Sequence, residues 1–339
     1  MRNHTQRTHR FTPIAIVVAV VLAVLAGALS CSQRDHSSEA QQLTIGSSHN
    51  EADTLIYIAY EQNFFVVNGL NVIIKDYGSG STAVDGMLKG EVDIATASEF
   101  VIVQKAFKQQ AVLTIGTISK NYTTYLIGRI DRGIRNVSDL EGKKIGIPAG
   151  TLAQFNFGRF LDLNGMGRKQ MTKVNIDIAQ SENVIVSGDV DAVVSWEPYI
   201  SRIKEKLGDK LVVWPAHSGQ PQYKNIIATK AWMAQHPEVV KGVLKSLVQA
   251  ESFMALHPDH AKTVVQRQLQ YNDEYIALVW PLNQFSLSLD QSLIAAMEDE
   301  ARWMIKNKLT TEKKVPDFND YIYVDGLKAI KPEAVNIIR

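Results

Sequence analysis

The sequence predicts an α/β protein built as two lobes. Short apolar runs of strand length alternate with amphipathic helical stretches, and two segments of the first half recur about 100 residues later. A chain of 339 residues has room for two such units, and 45% hydrophobic with 21% charged residues is ordinary globular composition. The 36 basic and 35 acidic side chains leave a net charge of +1, which gives no basic field for a nucleic-acid partner.

The first thirty residues stand apart. They hold three of the basic residues, Arg2, Arg7 and Arg10, and no carboxylate, so the remainder carries 33 basic against 35 acidic groups. The unbroken apolar run Ile14 to Leu29 then follows. A basic start, an apolar stretch and a small residue predict a secretory signal peptide over residues 1–30. A transmembrane anchor is the alternative, and the 16 apolar residues fall just short of that length. Cys31, the one cysteine, follows directly and has no partner for an internal disulfide. Ala28-Leu29-Ser30-Cys31 resembles a bacterial lipobox, with Ala28 where that pattern usually has Leu. The resemblance implies lipidation at Cys31, and an ordinary cleavage site with a bystander cysteine is the alternative. Residues 31–42 read as a flexible polar tether.

The folded body begins near Leu43. Strands are expected at Leu43 to Gly46, Asn71 to Ile74 and Asp93 to Thr96. Helices from Asp53 to Val67, Thr82 to Lys89 and Glu99 to Gln109 follow them in turn. This order predicts mainly parallel sheets with flanking helices. A second set has strands at Ile145 to Pro148, Val174 to Ile178 and Asp191 to Ser195, with a helix from Leu152 carrying Phe157, Phe160 and Leu161. Gly90 and Gly188 are 98 positions apart, and so are Glu99 and Glu197. Two related lobes imply a cleft between them. A strand at Asn225 to Ala228 returns the chain to the first lobe, and helices dominate afterwards, as in Val239 to Leu256 and Leu289 to Lys306. Lobe one is expected at 43–128 and 226–339 and lobe two at 131–223, with crossings near Gly128 to Asp131 and Tyr223 to Asn225.

The chemistry is expected at strand-to-helix turns. Gly78-Ser79-Gly80-Ser81-Thr82-Ala83 satisfies a GxGxxA pattern, but it follows the second strand rather than the first, which argues against a dinucleotide fold. Glycines admit a ligand to the backbone, helix starts favour anions or acceptors, and Ser79, Ser81 and Thr82 add hydroxyls. Simple N-capping by Ser81 or Thr82 explains the same residues equally well. Ser48 and Asn50, Ser98 and Glu99, and Gly150 and Thr151 occupy similar openings. His257-Pro258-Asp259-His260 has metal-like spacing but lacks a third ligand, so no metal is expected. No serine elbow or phosphate-binding loop is present, and the single thiol sits at the cleavage site.

Gly46 to Gly69, Gly78 to Ser81 and Leu88-Lys89-Gly90-Glu91-Val92-Asp93 resemble the start of the nitrate/sulfonate/taurine-type solute-binding proteins of ABC importers. That family includes receptors for pyrimidine precursors of thiamine. Asp139 to Thr151, and Gly188 to Ala192 followed by Trp196-Glu197-Pro198, resemble its later blocks. The resemblance implies a two-lobed, type II periplasmic-binding-protein-like clamshell, exported to the periplasm or the outer face of the cytoplasmic membrane. It implies a monomer without a cofactor that binds a small molecule and delivers it to a permease in the inner membrane. Enzymes that share the general fold rely on cysteine-containing features absent here, so no catalysis is expected. Carried over by position, the ligand contacts are Ser48, Asn50, Ser79, Gly80, Ser81, Thr82, Ser98, Glu99, Gly150, Thr151, Trp196 and Glu197, with Tyr122 at the cleft edge. Trp196 offers an apolar wall or, equally, an ordinary core side chain. Glu99 and Glu197 are acceptors for a ligand N–H, with a salt bridge or cap as the bland alternative. Two carboxylates and no lysine or arginine at these turns favour an aminosulfonate, sulfonate or aminopyrimidine over nitrate or bicarbonate. A lipid-tethered sensory module of the same fold would need the same clamshell.

Overall fold

The computed structural model describes residues 40–167, 169–217 and 219–338. The expected signal peptide, most of the tether and Cys31 lie outside the described residues. Among the described residues, no helix is long and apolar enough to cross a membrane. Gln41–Arg339 forms one compact unit.

Two sheets carry the fold, as the α/β clamshell requires. The first contains β1 (Gln41–Ser47), β2 (Leu70–Asp76), β3 (Ile94–Ser98), β4 (Val112–Asn121), β10 (Gln222–Thr229) and β11 (Asn283–Ser288), in the order β11-β4-β10-β3-β1-β2. The second contains β5 (Tyr125–Arg129), β6 (Lys144–Ile147), β7 (Thr172–Asn175), β8 (Ala192–Ser195) and β9 (Leu211–Pro215), in the order β7-β6-β8-β5-β9. Among these strands, parallel pairing is confined to β1 with β2 and β3, and to β6 with β7 and β8. The remaining pairings are antiparallel, so both sheets are mixed rather than mainly parallel. The reason is topological: strands that cross from one sheet to the other and back cannot keep the direction set by helical crossovers.

Helices α1 (Thr54–Glu61), α2 (Gly80–Leu88), α3 (Glu99–Phe107) and α4 (Leu152–Leu163) follow β1, β2, β3 and β6. The helix expected from Asp53 to Val67 breaks in two, because Asn63 takes a left-handed conformation at φ 57° and the chain restarts as Phe64–Val67. Ser79 and Thr82 form a reciprocal capping box that starts α2. Gly80 is required there: a Cβ would come within 2.7 Å of the Ala97 Cα on β3, so a larger residue would push the helix off the sheet.

Beyond β10 the chain forms α5 (Pro237–Leu256), α6 (Pro258–Leu269), α7 (Asp273–Val279) and α8 (Gln291–Lys306). The edge strand β11 interrupts this helical stretch. Its sequence NQFSLS has too few apolar residues to stand out, and its place is decided by pairing with β4.

One large core covers the first sheet, and two smaller ones cover the faces of the second. Leu152 and Phe155 of α4 belong to the large core, while Ala153, Phe157, Phe160 and Leu161 belong to a core of the second sheet, so this helix packs against both. The chain passes from β4 to β5 at 122–124 and returns between Pro215 of β9 and Gln222 of β10. The two crossings run side by side: Gln222 pairs with Asn121 in the ladder, and Ala216 N–H donates to the Thr124 carbonyl at 2.9 Å.

Candidate functional site

The tips of both sheets meet at one cleft. The first sheet contributes Ser48, Asn50, Glu51, Ser79, Gly80, Ser81, Ser98, Asn121, Gln222 and Lys224, while Thr151, Leu152, Ala153, Trp196 and Glu197 follow strands of the second. The enclosed space is about 50 Å³, which is several times the room one water needs by the same measure. Helices α2, α3 and α4 all begin at its wall, each with first-turn N–H groups and the positive end of its dipole nearby.

The fixed cation is Lys224. Strand β10 lies between β3 and β4 and sets Lys224 opposite Ser98 and Ser119. Its ammonium donates to Ser48 Oγ at 2.6 Å and pairs with Asp53 Oδ2 at 3.2 Å, with side chains 4% and 0% exposed. Ser47 Oγ donates to the same Asp53 oxygen at 2.7 Å. Ser47 and Ser48 thus each hydrogen-bond one member of this buried pair, while Asp53 Oδ1 has no hydrogen-bond partner among the described residues.

Acceptors face this cation across the cleft. Glu197, at 4% exposure, accepts from Ser201 N–H at 3.2 Å and from Ser201 Oγ at 2.9 Å. The Glu197–Pro198 peptide that follows is cis. Asn50 Oδ1 is buried without a hydrogen-bond partner among the described residues, an acceptor left available at the wall. The Glu51 carboxyl accepts from Tyr271 Oη at 3.2 Å. Burial pushes Glu51 up to about 7; the Glu197 charge adds to the rise, while its own backbone N–H, Tyr271 and Lys224 oppose it. Trp196 packs on the second sheet's core while lining the cleft, with its ring edge-on to Tyr199 at 6.5 Å.

Nine of the thirteen residues expected from sequence line this cleft: Ser48, Asn50, Ser79, Gly80, Ser81, Ser98, Thr151, Trp196 and Glu197. Four do not. Thr82 is occupied in the α2 capping box. Glu99 is wholly buried and turns back into the fold, where its Oε2 accepts from Tyr223 N–H at 3.0 Å; burial pushes its carboxyl and that of Glu300 upward. Tyr122 sits at the crossing, 41% exposed, with its ring edge-on to His217. Gly150 donates its N–H to Gln154 Oε1 and lines a separate groove beside α3. His257 and His260 both pack against the Phe253 ring, and no group of three metal-ligating side chains occurs among the described residues.

Sequence reasoning missed Glu51, Asn121, Gln222 and Lys224. Glu51 was the next residue after Asn50, so extending that opening by one position would have found it. Lys224 stood one residue ahead of an expected buried strand, and a lysine there needs a partner.

The model of the NMT1/THI5-like family matches residues 50–261, more than half of the chain and nearly all of the cleft. The chain belongs to the NMT1/THI5-like family. A binding protein of Brucella abortus (strain 2308) is 25% identical over 191 residues, which cover 55% of this chain and 58% of the Brucella protein. The alignment thus spans less than two thirds of that relative. The formylaminopyrimidine-binding protein of Halalkalibacterium halodurans is 22% identical over 234 residues, or 66% of this chain and 70% of the other. Among solved structures, the alkanesulfonate-binding protein of Xanthomonas axonopodis pv. citri, bound to MOPS, superposes with a TM-score of 0.72 at 16% identity. That superposition covers 84% of this chain and 99% of the Xanthomonas protein, and it shows the shared periplasmic-binding-protein-like fold.

Proposed function

We propose that this chain is the extracytoplasmic solute-binding receptor of an ABC importer. It binds a small polar molecule, an aminosulfonate, sulfonate or pyrimidine-like compound, between the two sheets and delivers it to a permease in the inner membrane. The observation that carries the reading is the meeting of helix starts and strand tips from both sheets around one cleft. There the Lys224 ammonium is fixed on one side and the Glu197 carboxyl and Asn50 Oδ1 are set as acceptors around it. Such a wall suits a ligand with an acceptor group at one end and a donor at the other. The names of the relatives, for formylaminopyrimidine and alkanesulfonate binding, support this class.

In this reading the two sheets with their helices are the lobes, and the hinge lies where the paired crossings run side by side, at 122–124 and beside Ala216 and Gln222. A ligand that touches both lobes shifts the population to the closed form, which the permease recognises. The chain acts as a monomer, exported by its first thirty residues and tethered to the membrane through lipidated Cys31, without a cofactor and without catalysis.

Lys224 gives a second reading, reception of a simple oxyanion such as nitrate or bicarbonate, more support than the sequence did. Its charge is already matched by Asp53, however. A further anion about 5 Å from an ionised Glu197 would cost about 3 kcal/mol at an effective dielectric constant of 20. A thermal-shift screen with taurine, alkanesulfonates, aminopyrimidines, nitrate and bicarbonate tests both readings. A compound at about 100 times its Kd adds about 2.7 kcal/mol of stability. A rise with taurine, an alkanesulfonate or an aminopyrimidine that Glu197→Ala abolishes supports the first reading. A rise with nitrate or bicarbonate alone overturns it in favour of the second, and a rise that Glu197→Ala, Trp196→Ala and Ser81→Ala all leave intact removes this cleft as the site.

A further inference from the structure

Two tyrosines behind the cleft connect its two carboxyls. Tyr271 Oη donates to Glu51 Oε2 at 3.2 Å, and Tyr275 Oη donates to Glu197 Oε2 at 3.5 Å. Their rings meet edge to face with centroids 4.4 Å apart. Glu51 follows β1 of the first sheet and Glu197 follows β8 of the second, so the pair spans the boundary between lobes. Neither tyrosine is among the cleft-lining residues. Both also lie beyond residue 261, where the family match ends.

Local structure fixes the pair firmly to the first lobe. Gln270 takes a left-handed conformation at φ 56° and ends α6, and Tyr271 N–H returns to the Gln266 carbonyl at 3.0 Å. Asn272 caps α7 by accepting from Tyr275 N–H at 2.7 Å, and α6 packs against α1. The two hydroxyls therefore present at fixed positions. Burial, reinforced by the charge of Glu51, pushes both phenols upward, so each remains a hydrogen-bond donor at neutral pH.

The two bonds differ in a way that matters. Both are longer than the usual O–H···O distance, and the one across the boundary is at the outer limit of hydrogen bonding. Only the second changes if the lobes move.

Resting on the reading of the cleft as a ligand site, we infer that Tyr275 is a positioning residue for Glu197: its hydroxyl engages the second lobe as the cleft closes and holds the Glu197 carboxylate toward the bound molecule. Tyr271 does the same for Glu51 from within the first lobe. Ser201 supplies two of the Glu197 contacts from its own lobe, and Tyr275 supplies the one that reports closure. The removal of that hydroxyl weakens both closure and binding while leaving the ring packing in place.

The test uses the full chain with Cys31→Ser and spin labels at Lys89→Cys and Lys206→Cys, one beyond α2 and one in the helix Tyr199–Leu207. Distance distributions are compared for Tyr275, Tyr275→Phe and Tyr275→Ala, without additive and with whichever of taurine, methanesulfonate or a 4-aminopyrimidine binds the parent. Tyr275→Phe is expected to shift the population to longer distances and to weaken binding of that probe about tenfold, as the loss of a hydrogen bond to a charged group does. Tyr275→Ala is expected to add a loss of thermal stability that Tyr275→Phe lacks. If Tyr275→Phe matches the parent in both distance and Kd while Tyr275→Ala does not, the tyrosine is merely packing and the inference falls. If no probe binds the parent, the receptor reading fails by itself, and the distance distributions still decide the role of Tyr275.

Discussion

The Lys224 ammonium lies 3.2 Å from the Asp53 carboxylate, and the pair is almost entirely withdrawn from water at the floor of the cleft. The cation is thereby fixed in position, and a bound molecule meets a charge that needs no reorganisation. Loss of one partner strands the other. Asp53→Ala is expected to cost about 3 to 5 kcal/mol, whereas Asp53→Leu with Lys224→Met together should cost far less, since replacement of both charges by apolar groups is often neutral. Urea unfolding of the two variants checks this, and equal losses would show that the pair does not act as a unit.

Glu51 makes stability depend on pH. Its carboxyl is pushed from 4.5 to about 7, chiefly by burial, so the folded state holds a proton that the unfolded chain has released. This stabilisation is complete below the unfolded value and is lost as pH rises through about 7. The slope is at most about 1.4 kcal/mol per pH unit, or roughly 3 kcal/mol across the window. Glu51→Gln, neutral at every pH, should remove that part of the decline. The comparison is urea stability of parent and variant at pH 5 and pH 8, and a difference between them that stays constant would exclude titration of Glu51. Burial raises Glu99 and Glu300 in the same direction, and their contribution remains in both proteins.

The serines and threonine of the Gly78 to Thr82 turn divide their work. Ser79 and Thr82 cap α2, whereas Ser81 lines the cleft outside that box. Thr82→Val is expected to cost about 1 kcal/mol of stability with little change in affinity for the compound found by thermal shift. Ser81→Ala is expected to do the reverse. Titration calorimetry beside thermal melts separates them, and a loss of affinity with Thr82→Val alone would reverse the assignment.

Gly158 on α4 is the seat of Trp303 on α8. A Cβ at this glycine would clash with the indole ring, and the Arg159–Asp299 and Lys306–Asp162 ion pairs join the same two helices. Gly158→Ala should therefore cost about 1 to 3 kcal/mol by overpacking. Trp303→Phe, which makes room, should recover part of it in the double variant. A full-sized loss that persists in the double variant would place the cost in α4 itself.

Most strands and helices of the β-α units were legible because their signals are local. Apolar alternation in Leu43 to Gly46 and the glycine-rich turn before α2 each depend on neighbours within a few residues, although the cap itself falls on Ser79 rather than on Ser81 or Thr82 as expected. The cleft was legible to the same extent: every expected residue that lines it sits where a strand tip turns, and the parallel units bring those tips together. The break at Asn63 and the polar edge strand β11 were not legible, since the first is a conformation that asparagine merely tolerates and the second is stabilised by pairing with a distant strand.

The sequence by itself determined the class of fold, the turns at which polar groups emerge and the family to which the chain belongs. Only the tertiary structure decided the charges of the cleft. Sheet order slips β10 between β3 and β4, which sets Lys224 into the cleft beside Ser48 and lets the Tyr223 N–H draw Glu99 out of it. The physical reason is range. A helix cap or a turn is satisfied by residues close along the chain, while a buried ionisable group takes its partner from whichever strand the topology lays beside it, here 171 and 124 residues away.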